Sequence, residues 1–225
     1  MSVRSASTPL AVLFGCSGPA LTDDERALFQ DADPTGFILF RRNVESPDQV
    51  TRLTAQLRDC TGRPDAPILI DQEGGRVARL GPPQWRSAPA AAVFGALARR
   101  DRERARRAAW LNSRLLADDL CSIGITVDCL PVLDLRFPGA HDVIGDRAYG
   151  EDAETVADIG RAACEGLIAG GVLPVLKHIP GHGRATADSH LALPKVTADR
   201  RTLEATDFVP FRMLADMPAA MTAHI

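Results

Sequence analysis

The 225-residue chain has no apolar run long enough to cross a bilayer. Its first apolar stretch, residues 10–14, stops at Gly15 and is too short for a secretory core ahead of a cleavage site. Cysteines are few and unpatterned. Cys16, Cys60, Cys121, Cys129 and Cys164 are odd in number, and no two form a CxxC. That argues against a disulfide framework or a zinc knuckle and fits a reducing compartment, so a cytoplasmic location is expected. An excess of either charge is also missing. Lys and Arg total 26 against 29 Asp and Glu, a net charge of -3, which gives no reason to expect a nucleic-acid or anionic-membrane partner. The densest basic stretch, residues 99–107, is interrupted by Asp101 and Glu103 and reads as a solvated helix face. No linker or low-complexity segment divides the chain. Hydrophobic residues at 45% and charged residues at 24% are ordinary for a globular protein, so disorder is excluded.

What is present is a rhythm. Short apolar runs bounded by Gly, Pro or polar residues fall at 10–15, 36–40, 67–71, 125–135, 172–178 and 219–225, and each reads as a strand. Helical patterns lie between them. Thr22 with Glu25 three residues on spells a capping box for a helix to residue 32. Ser46-Pro47 opens a second helix. Residues 97–121, free of Gly and Pro, predict one long helix. Residues 152–169 predict another that ends at Gly170-Gly171, and shorter ones are expected near 199–207 and 210–214. A repeated β-α-β-α order predicts a parallel sheet. Asp71, Asp134, Lys177, His178 and His224 fall at the ends of predicted strands. Chemistry spread over many strand ends favours a (β/α)8 TIM barrel, whereas an open sheet gathers ligand residues at one switch point. No GxGxxG or P-loop follows the first strand, which argues against an open-sheet nucleotide-binding domain. Six strand–helix units are counted where a barrel has eight, and Ile225 falls inside an apolar segment. The expectation is a single barrel catalytic domain over residues 1–225, incomplete toward its C-terminus.

The densest chemical signal is LKHIPGHGRATADSH, residues 176–190. His178 and His182 are four apart, as in a helical zinc site, but Pro180 and Gly181 forbid a regular helix and no Glu follows His178, so no metal is expected. Asp188 and His190 are two apart. In an extended segment both side chains point the same way, so the carboxylate can orient the imidazole and stabilise its protonated form. A histidine titrating near neutrality can give a proton to a leaving oxygen and later take one from water. The bland alternative is a surface loop with chance histidines. The second signal is ILIDQEGGRVARL, residues 68–80. A buried strand delivers Asp71, whose carboxylate can accept from two sugar hydroxyls. Alternatively, Asp71 or Glu73 pairs with Arg76 or Arg79 structurally. The third is DVIGDRAYG, residues 142–150, where Arg147 either reaches a substrate oxygen or pairs locally with Asp146.

Together these segments resemble glycoside hydrolase family 3, most closely its bacterial β-N-acetylglucosaminidase branch. The strings that carry the likeness are IDQEGGRVARL, VIGDRAYG and LKHIPGHGRATADSHLALP, with GFILFRRNVESPDQV resembling the family's second strand and following loop. The resemblance implies a TIM barrel, no cofactor, and removal of terminal non-reducing N-acetylglucosamine from muropeptides during peptidoglycan recycling, with retention of configuration. It implies that Asp71, Arg79, Arg147, Lys177 and His178 hold the sugar, that His190 is the acid/base, and that Asp188 orients it. A retaining mechanism also needs a nucleophile on the opposite face of the sugar. In the family this is an aspartate after the seventh strand, and no residue here matches its motif. It is expected beyond Ile225, so the 225 residues alone are expected to lack turnover and to be prone to aggregate through open sheet edges. Two alternatives stand beside this reading: a phosphorylase of the same family, since a histidine acid/base does not repel phosphate, and a non-catalytic sugar-binding chain. Oligomeric state is not legible.

Overall fold

The computed structural model of the chain describes residues 8–139, 142–185 and 193–225. It begins with strand β1 (Leu10–Phe14), helix α1 (Asp23–Ala32) and strand β2 (Pro34–Leu39). Helix α2 (Pro47–Thr61) leads to β3 (Ile68–Ile70) and a small antiparallel hairpin, β4 (Gln72–Gly74) and β5 (Val77–Ala78). Helices α3 (Ala91–Ala98) and α4 (Arg102–Cys121) precede β6 (Val127–Asp128). Helix α5 (Ala153–Ala169), strands β7 (Leu173–Pro174) and β8 (Leu176–Ile179), helices α6 (Arg200–Ala205) and α7 (Val209–Met213), and strand β9 (Ala220–Thr222) complete the order.

Local chemistry explains most helix starts. The Thr22 hydroxyl accepts from the Glu25 N–H at 3.1 Å, and the Glu25 carboxylate accepts from the Thr22 N–H at 2.9 Å, so the expected capping box is formed. Ser46, Asp101, Asp152 and Asp199 cap α2, α4, α5 and α6 with a side-chain oxygen that accepts from the N–H three residues on, each worth about 1 kcal/mol. Asp101 also accounts for a correction. The single helix predicted over 97–121 is two, because Arg99 closes α3 and Asp101 turns extended to cap α4. Freedom from Gly and Pro did not reveal a break made by a side-chain cap.

The strands run parallel in chain order. β1 pairs with β2, β2 with β3, β3 with β6, β6 with β7, and β8 with β9. The strand predicted over 172–178 is split at Val175, whose N–H donates to Asp128 O and Leu130 O. The strand predicted over 125–135 is shorter than expected, but its line continues through a parallel bridge from Val132 to Lys177. Six strand positions therefore follow one another without the order reversal that marks a doubly wound sheet.

The sheet is curved. Leu69, Val127, Cys129 and Val175 form one buried cluster, and Ile38 of β2 and Met221 of β9 both pack on it. In a flat sheet strands four positions apart would lie about 19 Å from each other, at roughly 4.8 Å per strand. The opposite face carries the helices. Phe37, Leu39, Ile68 and Ile70 pack there with Leu53, Leu57, Leu116 and Leu120, and a second cluster joins Leu133 to Ile159 and Phe211. Central β3 is buried on both sides, as parallel strands are. Among the described residues no helix is long and apolar enough to cross a membrane.

Candidate functional site

The strand ends and their loops enclose a cavity of about 380 Å³. All five residues expected to hold a ligand line it: Asp71, Arg79, Arg147, Lys177 and His178. Three chain segments far apart in sequence thus meet at one place. Asp188 and His190, the expected acid/base pair, lie outside the described residues.

Asp71 follows β3 directly. Its Oδ1 accepts from Lys177 Nζ at 2.8 Å and its Oδ2 from Arg79 Nη2 at 3.1 Å. Lys177 is 1% exposed and also reaches Glu73 Oε1 at 2.6 Å. Arg147 grips the same glutamate at two points, Nε to Oε2 and Nη2 to Oε1, both 2.8 Å. The cavity floor is therefore a charge-balanced chain, Arg79–Asp71–Lys177–Glu73–Arg147. Burial works against ionisation of Asp71, but Lys177 and then Arg79 outweigh it and hold the carboxyl below its ordinary range. Glu73 is held low in the same way, burial being overcome by the Arg147 hydrogen bonds and the Lys177 charge. Lys177 is pushed up, because Glu73 and Asp71 more than offset its own burial.

The hairpin that carries Glu73 and Arg79 is held from inside. Gln72 Oε1 accepts from the N–H groups of Arg79 and Leu80 at 2.8 and 3.0 Å, and its Nε2 donates to Leu80 O at 3.0 Å. Gly74 turns at φ 94°, and a Cβ there would lie 2.4 Å from Pro89 O, so the backbone can pass only as glycine. The Gly-Gly pair thus shapes the cavity rim.

On another wall, His178 Nδ1 lies 2.6 Å from Asp134 Oδ2. Asp134 is fully buried, and its Oδ1 accepts from the N–H of His182 at 2.7 Å and of His178 at 3.3 Å. Burial would raise the Asp134 carboxyl, but its hydrogen bond to His178 and the backbone donors hold it low. A carboxylate on Nδ1 leaves Nε2 of a neutral His178 as an acceptor toward the cavity. The His182 ring is buried beside it, centroids 5.9 Å apart, with no hydrogen-bond partner on either nitrogen among the described residues. Burial lowers its pKa, so it is neutral at pH 7.

Two pairings differ from the sequence-based alternatives. Asp71 does pair with Arg79, but Glu73 pairs with neither Arg76 nor Arg79; its cations are Arg147 and Lys177. The local pair Asp146–Arg147 is not made, since Asp146 instead meets Arg76 at 2.8 Å. Sequence reading left Glu73, Asp134 and His182 without roles at the site. Asp134 had a usable signal, a charge at the end of an apolar strand. Phe40, Val143, Thr222 and His224 also line the cavity. Among the described residues no three His, Cys, Asp or Glu side chains gather as a metal site.

The arrangement presents hydrogen-bonding groups of both kinds, with fixed tautomer and paired charge, to a small polar ligand. Comparisons with known proteins agree with that chemistry. The family described as "Glycosyl hydrolase family 3 N terminal domain" matches residues 8–225. A "Beta-hexosaminidase" of Alkalilimnicola ehrlichii is 40% identical over 216 residues, covering 95% of this chain and 61% of the relative. One from Methylococcus capsulatus is 38% identical over 218 residues, covering 95% and 62%. The crystal structure of NagZ from Neisseria gonorrhoeae in complex with N-trifluoroacetyl-D-glucosamine superposes with a TM-score of 0.88 at 37% identity, covering 96% of this chain and 65% of that one. A glycoside hydrolase family 3 β-N-acetylglucosaminidase from Paenibacillus sp. gives 0.85 at 36% identity, covering 94% and 40%. The chain spans about three fifths of the length of the curated relatives it matches.

Proposed function

The chain belongs to glycosyl hydrolase family 3 through that family's N-terminal domain, and from this premise we propose that the full-length protein is a retaining β-N-acetylglucosaminidase. It removes terminal non-reducing N-acetylglucosamine from peptidoglycan fragments in the cytoplasm. The observation that carries the proposal is the ion-pair chain across the cavity floor, which fixes Asp71 with Arg79 and Lys177, and Arg147 with Glu73. Each cation already faces a carboxylate, an arrangement that suits a neutral, hydroxyl-rich ring better than a free oxyanion. This favours a hydrolase over the phosphorylase alternative.

In this reading residues 1–225 form most of one (β/α)8 barrel domain, and further strands close the curved sheet between β9 and β1. Asp71, Arg79, Arg147, Lys177 and His178 hold the sugar. His190, oriented by Asp188, gives its proton to the glycosidic oxygen as that bond breaks. A carboxylate supplied from beyond Ile225 attacks the anomeric carbon and forms a glycosyl ester. His190, now neutral, takes a proton from water, which attacks the ester and frees sugar and carboxylate. Support comes from the named relatives, one of them solved with an N-acylglucosamine, and from the residue types at the site.

The test is turnover of a chromogenic β-N-acetylglucosaminide by the full-length protein, with and without phosphate, and by the 225 residues alone. The expected result is phosphate-independent release of N-acetylglucosamine by the full-length protein and none by the 225 residues. Phosphate-dependent release of a sugar phosphate, or binding without turnover by the folded full-length protein, overturns it.

A further inference from the structure

Arg76 is not among the residues assigned to the sugar, and its side chain is 43% exposed. An exposed ion pair is ordinarily worth little. Here, however, the guanidinium does more than pair. Nε donates to Asp146 Oδ1 at 2.8 Å, and Nη2 faces three consecutive carbonyls, those of Asp142, Val143 and Ile144, at 2.5, 3.0 and 3.1 Å. One fork thus gathers the turns of the 142–147 loop around itself. Gly145 makes the approach possible. It sits at φ 45°, and a Cβ there would lie 3.1 Å from Arg76 Nη2 and 2.4 Å from Asp142 Oδ1.

The same loop sends Arg147 the other way, into the hairpin, where it grips Glu73 and also donates from Nη1 to Val143 O at 3.1 Å. Two arginines therefore cross between two segments about 70 residues apart in sequence: Arg76 from hairpin to loop, Arg147 from loop to hairpin. Val143 O accepts from both. The wall they join supplies Glu73, Val77 and Arg79 from one side and Val143, Ile144 and Arg147 from the other.

We propose that Arg76 is a positioning residue that sets Arg147 and the 142–147 loop against the substrate cavity. It touches no ligand itself; it acts through the loop carbonyls and Asp146. The assignment rests on the N-acetylglucosaminidase reading for its kinetic consequence, but the clamp itself does not. A planar fork is needed because a lysine ammonium is a single point charge and cannot span a carboxylate and a row of carbonyls.

The experiment uses the full-length protein with Arg76→Ala, Arg76→Lys, Arg147→Ala and the Arg76→Ala/Arg147→Ala double variant. Amide hydrogen exchange across residues 142–147 is measured without ligand, and KM and kcat are measured on a chromogenic N-acetylglucosaminide. Arg76→Ala is expected to speed exchange in that loop and to raise KM about tenfold, with kcat changed less than about threefold, because misplacing a binding group by a fraction of an ångström weakens binding. Arg76→Lys recovers less than half of the loss. In the Arg147→Ala background Arg76→Ala adds less than about twofold, since residues acting through one another are not additive. Unchanged exchange overturns the proposal, as does faster exchange with unaltered KM, or full multiplicative losses in the double variant. If Arg76→Ala fails to fold, Arg76→Lys carries the same readings at smaller amplitude. A wild-type protein without turnover sinks the glycosidase reading alone, because hydrogen exchange reads the clamp without substrate.

Discussion

His178 Nδ1 lies 2.6 Å from Oδ2 of a fully buried Asp134, and this contact decides which imidazole nitrogen remains uncommitted. Asp134 is ionised, so it can only accept. In its neutral form, His178 then has to carry its proton on Nδ1, which leaves the lone pair on Nε2. Two backbone N–H groups fasten the other carboxylate oxygen, so the pair cannot swing as a unit.

Asp134→Asn tests that relationship. The amide can keep the backbone donors on its oxygen, but its NH2 then faces Nδ1 and the histidine must take the other tautomer. In the full-length protein kcat/KM on an N-acetylglucosaminide is expected to fall on the order of 10-fold or more, short of the loss for a residue that itself transfers the proton. Nitrogen NMR shifts of His178 are expected to report the swapped tautomer. A swapped tautomer with unaltered kcat/KM would mean that the lone pair on Nε2 is not used.

Asp128 gives a prediction in the pH dependence of stability. It is fully buried on β6; its Oδ1 accepts from the Gln72 N–H at 3.0 Å, and Oδ2 has no partner among the described residues. Burial pushes the carboxyl well above its ordinary range, only partly opposed by that N–H and by Lys177. With the folded pKa raised, its contribution to stability is full below the ordinary carboxylate value and is lost as pH rises toward the folded value. Asparagine does not titrate. Asp128→Asn is therefore expected to gain melting temperature relative to wild type as pH goes from about 4 to about 8, by several degrees. A constant difference across that range would show that Asp128 ionises normally.

Glu73 titrates the other way. Its carboxyl is 5% exposed between Arg147 and Lys177 and is held low. With the folded pKa depressed, its stabilisation is full above the ordinary carboxylate value and is lost as pH falls through the folded one. Glu73→Gln leaves two buried cations without their shared anion and is expected to cost about 3–5 kcal/mol near neutrality. Denaturant melts are expected to show that deficit shrinking below about pH 4, as wild type loses the same contact. A deficit that stays constant into acid would mean that the loss comes from packing rather than charge.

These residues also show how far the sequence could be read. Asp71, Lys177 and His178 were legible as site residues because each sits at or next to the end of an apolar strand, and the parallel order brings such positions to one rim. Arg79 came from family resemblance, and Arg147 was one of two open readings until the resemblance favoured the sugar. Their partners were not legible. Arg147 lies 74 residues from Glu73 and His178 lies 44 from Asp134, so the nearer choices Asp146 and Arg76 looked equally good. Which carboxylate meets which cation depends on how the 142–147 loop crosses the hairpin, and no local spacing encodes that. Thr22–Glu25 was read correctly for the reverse reason: a capping box is complete within four residues. The break between α3 and α4 was missed because one aspartate cap made it, without glycine or proline.

The proposed acid/base pair carries the most direct test of mechanism. A proton donor matters in proportion to the basicity of the leaving oxygen. A sugar alkoxide leaves only if protonated, whereas a nitrophenolate leaves unaided. His190→Ala in the full-length protein is therefore expected to lower turnover of a disaccharide substrate on the order of 100-fold or more, and formation of the glycosyl ester from a nitrophenyl substrate far less. The second step then suffers alone, because water attacking the ester also needs its proton removed. Azide carries no proton, so it should restore the nitrophenyl rate and yield a glycosyl azide. Asp188→Asn should follow the same pattern with smaller losses, since it acts through the imidazole. Equal losses on both substrates, with no azide product, would remove His190 from the proton-transfer role and leave the cavity-lining His178 and His182 as the groups to test next.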